Sequence, residues 1–534
     1  MSEAVRAERR LDGTIQACLV LGIMGFAGLL TAAGVLLTHE DGFYYLEIAR
    51  NVAAGRGSTF DGLHATNGYQ PLWLAVLVPI FWCQPSTEGA MAAATLAQAA
   101  LLSAAAVLVF RLARASGFPA APAAIAGCAW MALTARTALS GVEFALTATL
   151  LAAIALQLSR NAGATPSTRA CAVMGLLIAL AVLSRLDIAL LGLLVAAEWG
   201  WRVRGSPGAA RRLAALVAPA LVLGAAYALG NVMLVGRPWP VSGAAKRIWS
   251  LHLLASDPLY QAHGWLAAKA WHLTWPMRHP LAAAMPSVLV GGLAACALLL
   301  GGAGRRTSPA LEPLGASLHR LRPLVLFSGL QPLAYALVYH GHYTYAPWYY
   351  VAQPLLAALL MCAAAHALLS ATPLRLPAAV AGAAWALLLA GVAAVGVQSY
   401  APKHEDPLYV AARWARGQLD PSARVGSWNA GAIAFLSGRD VVNLDGVVNT
   451  FDYLERDQYD LCAYWERTGI THLVDVFEAR EGSVAMKGAT LPVTRSYERC
   501  ADRLELVWSE RIPANPGWPK AFRFTSTRGP RPGP

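Results

Sequence analysis

Two adjacent acids, Glu40 and Asp41, follow the first long apolar run and open the stretch HEDGFYYLEIARNVAAGRGSTFDGLHATNGYQPLW, His39 to Trp73. A carboxylate within hydrogen-bond reach of a hydroxyl can take its proton, which makes this pair a candidate for general-base chemistry. The same two acids could simply cap the helix that starts near Gly42. Phe43 to Ala54 is amphipathic and helix-like, as suits a helix lying along a membrane face, and Gly55, Gly57, Gly62 and Gly68 then mark tight turns. Further ionisable residues stand beside apolar segments: Glu143, Arg185, Asp187, Lys246, Arg247, His340 and His342. Charges so placed are costly unless they serve a site or a buried pair; Arg185 and Asp187 could be such a pair, and Glu143 could cap a helix. His340 and His342 flank a glycine and do not form a helix-face metal pair, so no metal site is read from them. A Walker loop, a GxGxxG fingerprint and an HExxH pair are all missing, which leaves nucleotide-driven and zinc-peptidase chemistry without sequence support.

The elements that must position these residues are membrane helices. Of 534 residues, 57% are hydrophobic and 13% charged, with a mean hydropathy of +0.46, so a bilayer must act as part of the solvent. Spans are expected at about 15–37, 90–110, 119–137, 141–159, 170–185, 186–201, 213–234, 282–301, 323–340, 348–370 and 376–398. The fold class is therefore a polytopic α-helical membrane protein of about 11 transmembrane helices, with a small C-terminal α/β domain. The first run, Thr14 to Leu37, lacks a persuasive cleavage site and is expected to remain as the first helix. The net charge of +12 would suggest nucleic acid in a soluble protein, but here arginines cluster in short loops and read as topology signals. If all the basic clusters are cytoplasmic, the apolar run Pro71 to Trp82 must not cross, and a dozen residues is short for a span. The first loop (about 38–89), the loop from Gly236 to Pro280, the tip Tyr339 to Tyr350 and the C-terminal domain then share the non-cytoplasmic side of the cell membrane.

The expected domains are 1–398 in the membrane, 399–527 outside it, and a Pro- and Gly-rich tail, 528–534, that cannot fold alone. Within 399–527, RVGSW, DVVNL and THLVDVF read as strands between helix-like or turn segments, hence the α/β class. Asn429, Asn443 and Asp445 could bind a ligand there or simply end strands. Cys462 and Cys500 could form a disulfide in an oxidising compartment or remain two thiols, whereas the other six cysteines lie in or beside apolar runs as small packing residues.

The first loop resembles that of the GT-C glycosyltransferases, especially the polyprenyl-phosphate-sugar-dependent branch that includes protein O-mannosyltransferases and aminoarabinose transferases. Asp41, Tyr44, Tyr45 and the run EIAR (Glu47 to Arg50) fit its D-x-x-Y-Y-like segment and following helix. SGVEFAL (Ser140 to Leu146), SRLD (Ser184 to Asp187), GRPWPVSGAAK (Gly236 to Lys246) and WNAGAIAFLSGRDVVNLDG (Trp428 to Gly446) match further patches in the same order. The resemblance implies an inverting transfer of a sugar from a polyprenyl-phosphate donor to a hydroxyl of a glycan, lipid or protein acceptor on the extracytoplasmic side. It makes Asp41 the general base, with Glu40 as the second catalytic candidate. It asks for cationic or donating groups at the leaving phosphate, for which Arg185, Lys246, Arg247, His340 and His342 are candidates. Tyr44, Tyr45, Gln70, Glu143 and Asp187 are the candidate substrate contacts. In several relatives a basic residue precedes the proline that opens the next apolar segment; here that position is Gln70, which can donate a hydrogen bond but adds no charge. The tyrosines and tryptophan at Tyr339, Tyr343, Tyr345, Trp348, Tyr349 and Tyr350 read either as an interfacial belt or as a sugar-stacking set. No cofactor is expected beyond the donor, no nucleic acid is a partner, and a role for a divalent metal stays open. The competing functions are a lipid or solute transporter, against which the absence of similar halves speaks, and a non-catalytic envelope assembly factor.

Overall fold

The computed structural model describes residues 3–33, 38–84, 86–273, 312–340, 346–371, 406–478, 485–487, 489, 491–512 and 517–526. It is mostly helical, with a small sheet near the C-terminus. Eleven helices fill the described residues up to 273: α1 Glu3–Ala32, α2 Glu40–Ala53, α3 Pro71–Cys83, α4 Thr87–Ala115, α5 Ala120–Ala138, α6 Phe144–Arg160, α7 Thr168–Ser184, α8 Ala189–Val203, α9 Ala209–Val235, α10 Val241–Ser256 and α11 Pro258–Leu273. Glu312–Arg320, Arg322–Val338 and Ala352–Ala371 follow. Local signals set several of the boundaries. Ser86 caps α4 by accepting from Gly89 N, Pro71 opens α3 at a position whose N–H would be unpaired anyway, and left-handed Gly236 stops α9.

Four described helices are long and apolar enough to cross a membrane: Val5–Ala32, Thr87–Ala115, Ala209–Val235 and Ala352–Ser370. The pair Glu312–Arg320 and Arg322–Val338, bent by 73°, would be a fifth if it is one span. About eleven spans are expected from the sequence, and two of them, 282–301 and 376–398, lie outside the described residues. Much of the remaining difference is length. At a rise of 1.5 Å per residue, α5 to α8, of 15–19 residues, reach roughly 23–28 Å, just short of a hydrocarbon core of about 30 Å. The run at Pro71 forms the 13-residue α3, about 20 Å long on the same rise.

The membrane-type helices share one apolar core, in which Phe110, Trp130, Phe144, Trp199 and Phe327 are fully buried. A second core joins the first loop to the C-terminal part: Phe43, Ile48, Trp73 and Leu77 pack into the cluster that holds Val425, Phe435, Val442 and Trp465. Each such fully buried large side chain contributes on the order of 1.5–3 kcal/mol. For that reason α2 is not a surface helix with one wet face: Gly42 through Ala49 are all buried, and the helix lies between α3 and the helix Ala430–Ser437.

The sheet has five strands, β1 Arg424–Ser427, β2 Asp440–Asn443, β3 His472–Glu478, β4 Leu504–Ser509 and β5 Gly517–Phe524, in the order β2-β1-β3-β5-β4. β1 pairs parallel with β2 (Val425 opposite Val441) and with β3 (Val425 opposite His472), whereas β5 runs antiparallel to β3 and β4. Helices on the β1–β2 and β2–β3 connections complete the α/β arrangement. Cys462 and Cys500 form a disulfide that closes 38 residues of chain and ties the helix Leu461–Thr468 to the turn before β4, worth about 4 kcal/mol on a loop-entropy estimate.

Candidate active site

The first loop and α4 hold the tip between α5 and α6 by hydrogen bonds to its backbone. His39 N donates to Ser140 O at 2.7 Å, Trp73 Nε1 to Gly141 O at 2.8 Å, and Gln98 on α4 grips the tip from both sides, accepting from Gly141 N and donating to Val142 O. The tip so held carries Glu143. Asn67 performs the same service for α10, accepting from Val241 N at 2.9 Å and donating to Trp239 O at 3.0 Å, and Lys246 lies on that helix. Gly68 is obligatory here, because a Cβ would stand 1.9 Å from Val447 O.

These elements enclose a cavity of about 960 Å³. Of the residues named from the sequence, Glu40, Asp41, Tyr44, Tyr45, Gln70, Glu143, Arg185, Asp187 and Lys246 line it. Arg247 is exposed and does not line it. His340 does not line it either; its Nε2 meets Asp257 Oδ2 at 2.9 Å, outside the cavity wall. His342 lies outside the described residues.

Most of the lining carboxylates are already held. Glu143 Oε1 accepts from Arg185 Nη1 at 2.7 Å and its Oε2 from Tyr45 OH at 2.9 Å; Tyr45 OH in turn accepts from Gln70 N at 3.2 Å. Asp187 accepts from Arg185 Nε at 3.0 Å, Gln331 Nε2 at 2.5 Å and Tyr335 OH at 3.2 Å. Arg185 adds bonds to Trp348 O and Tyr335 OH, so four of its five N–H groups hold the wall together. Arg185 also lines the cavity, and this network supplies the pairing that a cation 3% exposed needs.

Glu40 points away from the cavity centre toward the C-terminal part. Its carboxylate accepts from Gly431 N at 2.5 Å and Ala432 N at 3.1 Å, the first free N–H groups of the helix Ala430–Ser437. Burial raises its pKa well above the ordinary value, although those two N–H bonds pull the other way. Arg50, from the other end of α2, donates to Phe435 O at 3.2 Å, near the opposite end of the same helix. An acid at the N-terminus and a guanidinium at the last carbonyls both complement the helix dipole.

Asp41 differs from all of these. Its carboxylate lines the cavity and accepts no hydrogen bond from any described residue, while its backbone N–H donates to His39 Nδ1 at 3.4 Å. Its charge acts on four cavity groups, the Lys246 ammonium, the Asp445 and Glu40 carboxyls and the Tyr44 hydroxyl. Lys246 Nζ donates to Tyr349 OH at 2.6 Å and lies 5.0 Å from the centre of that ring. Burial works against its charge, but Tyr349 and Asp41 outweigh burial and raise its pKa. Lys246 is thus a cation kept charged in the wall.

Further cavity residues come from the C-terminal part, where the sequence leaves Asn429 and Asp445 between binding a ligand and ending strands; Trp249 and Tyr335 are not named from the sequence. Asp445, two positions past β2, accepts from Tyr44 OH at 2.7 Å and Val447 N at 2.7 Å, and burial lifts its pKa to about 7. Trp428 and Asn429 line the wall directly after β1, pinned by Asp475, which accepts from Trp428 N, Asn429 N and Asn429 Nδ2. His39, Trp249, Tyr335, Tyr339, Trp348 and Tyr349 supply the aromatic lining. Of the aromatic tip, Tyr339, Trp348 and Tyr349 line the cavity; Tyr350 is buried behind them against Tyr335, and Tyr343 and Tyr345 lie outside the described residues.

Residues 397–527 match a family model described as Domain of unknown function (DUF8728), so Trp428, Asn429 and Asp445 belong to the matched stretch. No curated protein sequence matches the chain. Among solved structures, the chain is similar to ArnT from Cupriavidus metallidurans bound to undecaprenyl phosphate, at 14% identity and a TM-score of 0.41, over 95% of this chain and 98% of that one. It is also similar to the archaeal oligosaccharyltransferase AglB from Archaeoglobus fulgidus, in complex with an inhibitory peptide and a dolichol-phosphate. That match has 13% identity and a TM-score of 0.46, over 95% of this chain and 74% of that one.

Proposed function

We propose that this chain is a membrane glycosyltransferase of the GT-C type, moving a sugar from a polyprenyl-phosphate donor to an acceptor hydroxyl outside the cytoplasm with inversion at the anomeric carbon. One observation carries the reading. In a cavity where the other acids are bonded, the first-loop Asp41 alone presents a carboxylate that no described donor holds, and a charged, half-buried Lys246 stands within its electrostatic reach. In the reaction the acceptor oxygen attacks the anomeric carbon as Asp41 takes its proton, and the bond from that carbon to the phosphate oxygen breaks with its electron pair leaving on the phosphate. Lys246 and the Tyr349 hydroxyl meet the charge that develops there. Gln70 brings no charge to the phosphate, which leaves Lys246 as the principal cation. The disulfide supports the placement of the C-terminal part in an oxidising compartment.

The test is a transfer assay with purified protein in detergent and polyprenyl-phosphate monosaccharides as donors. Product of inverted anomeric configuration is expected by NMR, and Lys246→Met should weaken undecaprenyl phosphate binding by about 10- to 100-fold, the range for a lost charge-assisted contact. Efficient transfer from a nucleotide sugar in the absence of lipid would overturn the proposal.

A further inference from the structure

The wall that the C-terminal part lends to the cavity carries chemistry that donor binding and proton transfer leave unused. Trp428 and Asn429 follow β1 and Asp445 follows β2, and because these strands are parallel all three stand at the same, carboxyl edge of the sheet. The order β2-β1-β3 reverses direction beside β1, and the carboxyl edge at such a reversal is where open α/β sheets bind ligands. The anion position usual at that place, the N-terminus of the following helix, is here filled from within by Glu40.

What remains is aromatic and rich in acceptors. The Trp428 ring lies 5.6 Å from that of Trp249, tilted by 32°, so the two indoles pack against each other and give this wall its apolar part. Asn429 Nδ2 is held by Asp475, and Asn429 Oδ1 accepts from no described residue. Asp445 accepts one bond at each oxygen and keeps lone pairs for more. Apolar faces beside hydrogen-bond acceptors suit a molecule with C–H faces and a rim of hydroxyl donors, which is a carbohydrate. An anionic headgroup would instead meet the Asp445 carboxylate and the Asn429 carbonyl oxygen. Asp41 influences Asp445 as well as Lys246, so one carboxylate serves both the sheet-side wall and the phosphate side.

We propose that Trp249, Trp428, Asn429 and Asp445 form the acceptor subsite, and that the group they orient toward Asp41 is a carbohydrate hydroxyl. This inference rests on the glycosyltransferase reading above. The experiment keeps the two separable. The full chain in lipid nanodiscs is incubated with the water-soluble glycan fraction released from the envelope of a strain lacking the chain, and retained glycans are read by mass spectrometry. A second arm measures thermal stabilisation by undecaprenyl phosphate alone. Wild type should retain glycan; Trp428→Leu and Asp445→Asn should each retain about tenfold less, while stabilisation by undecaprenyl phosphate stays unchanged. If either variant lacks a cooperative unfolding transition, Trp249→Leu, on a different element, carries the same expectation. Unchanged retention in the variants, or no glycan retained by wild type, overturns the carbohydrate subsite and leaves the donor reading standing. A wild type that undecaprenyl phosphate fails to stabilise overturns the donor reading and this inference with it.

Discussion

A carboxylate is the readier base the fewer of its lone pairs are engaged, and the neighbours Glu40 and Asp41 divide on that point. Glu40 accepts from two backbone N–H groups nearly 400 residues away in the chain, whereas Asp41 faces the cavity unheld. Asp445 is a third case, a buried acid whose pKa is raised to about 7. A carboxyl raised in the folded state contributes stability that is fully present below its ordinary pKa and is lost as pH rises through 7. Thermal stability of the wild type should therefore fall between about pH 4 and pH 7 more steeply than that of Asp445→Asn, measured side by side; parallel curves would contradict the assignment. The sequence made Asp41 legible because it leaves the first apolar run beside the Tyr44–Tyr45 pair. It did not separate Asp445 from a strand-ending acid, since only the closing of the sheet over the first loop makes that position part of a cavity. Arg247 and His340, also named as phosphate candidates, do not line the cavity, because chain position beside an apolar segment says nothing about which way a side chain turns.

Among the elements, the pairing of α2 with the helix Ala430–Ser437 does most to position the site. Glu40 and Arg50 hold the two ends of that helix, and Gly431 allows the approach, because a Cβ there would lie 2.7 Å from Glu40 O. Gly431→Ala should separate the two helices at a cost of about 1–3 kcal/mol, in the range of other overpacked positions. The readout is faster limited proteolysis between the membrane helices and the sheet, with the helix content unchanged. Proteolysis at the wild-type rate would show that the clamp is not what joins them. This pairing could not be read from the sequence, where α2 has the amphipathic pattern of a surface helix and its partner is hundreds of residues distant. β1 to β3 were legible from short β-branched runs. β5 was not, because Pro519 breaks the signal of a strand that nonetheless pairs on both sides.

At the scale of the whole molecule, α10 in the loop from Gly236 to Pro280 carries the cation and the first loop carries the free carboxylate, while the sheet closes the cavity over both. That arrangement fits the proposed chemistry only if loop and sheet lie on the same side of the membrane, and the proposed side is the extracytoplasmic one. A reporter that is active only in the cytoplasm, fused after Thr525, should stay silent; activity would mean that the run at Pro71 crosses and the orientation is reversed. The apolar runs made the membrane class plain, but not the number of crossings, because helices of 15–19 residues fall at the edge of spanning length.

The central claim is that Asp41 takes the acceptor's proton. Its most direct test compares single-turnover transfer from a polyprenyl-phosphate sugar by wild type, Asp41→Asn and Glu40→Gln at matched protein levels and saturating donor. Asp41→Asn should bind undecaprenyl phosphate and unfold like the wild type yet transfer at least about 100-fold more slowly, the low end of what loss of a general base costs. Glu40→Gln, which keeps one acceptor oxygen for the helix N-terminus, should lose far less activity and show its effect in stability instead. Near-normal transfer by Asp41→Asn, whatever Glu40→Gln does, would contradict the account.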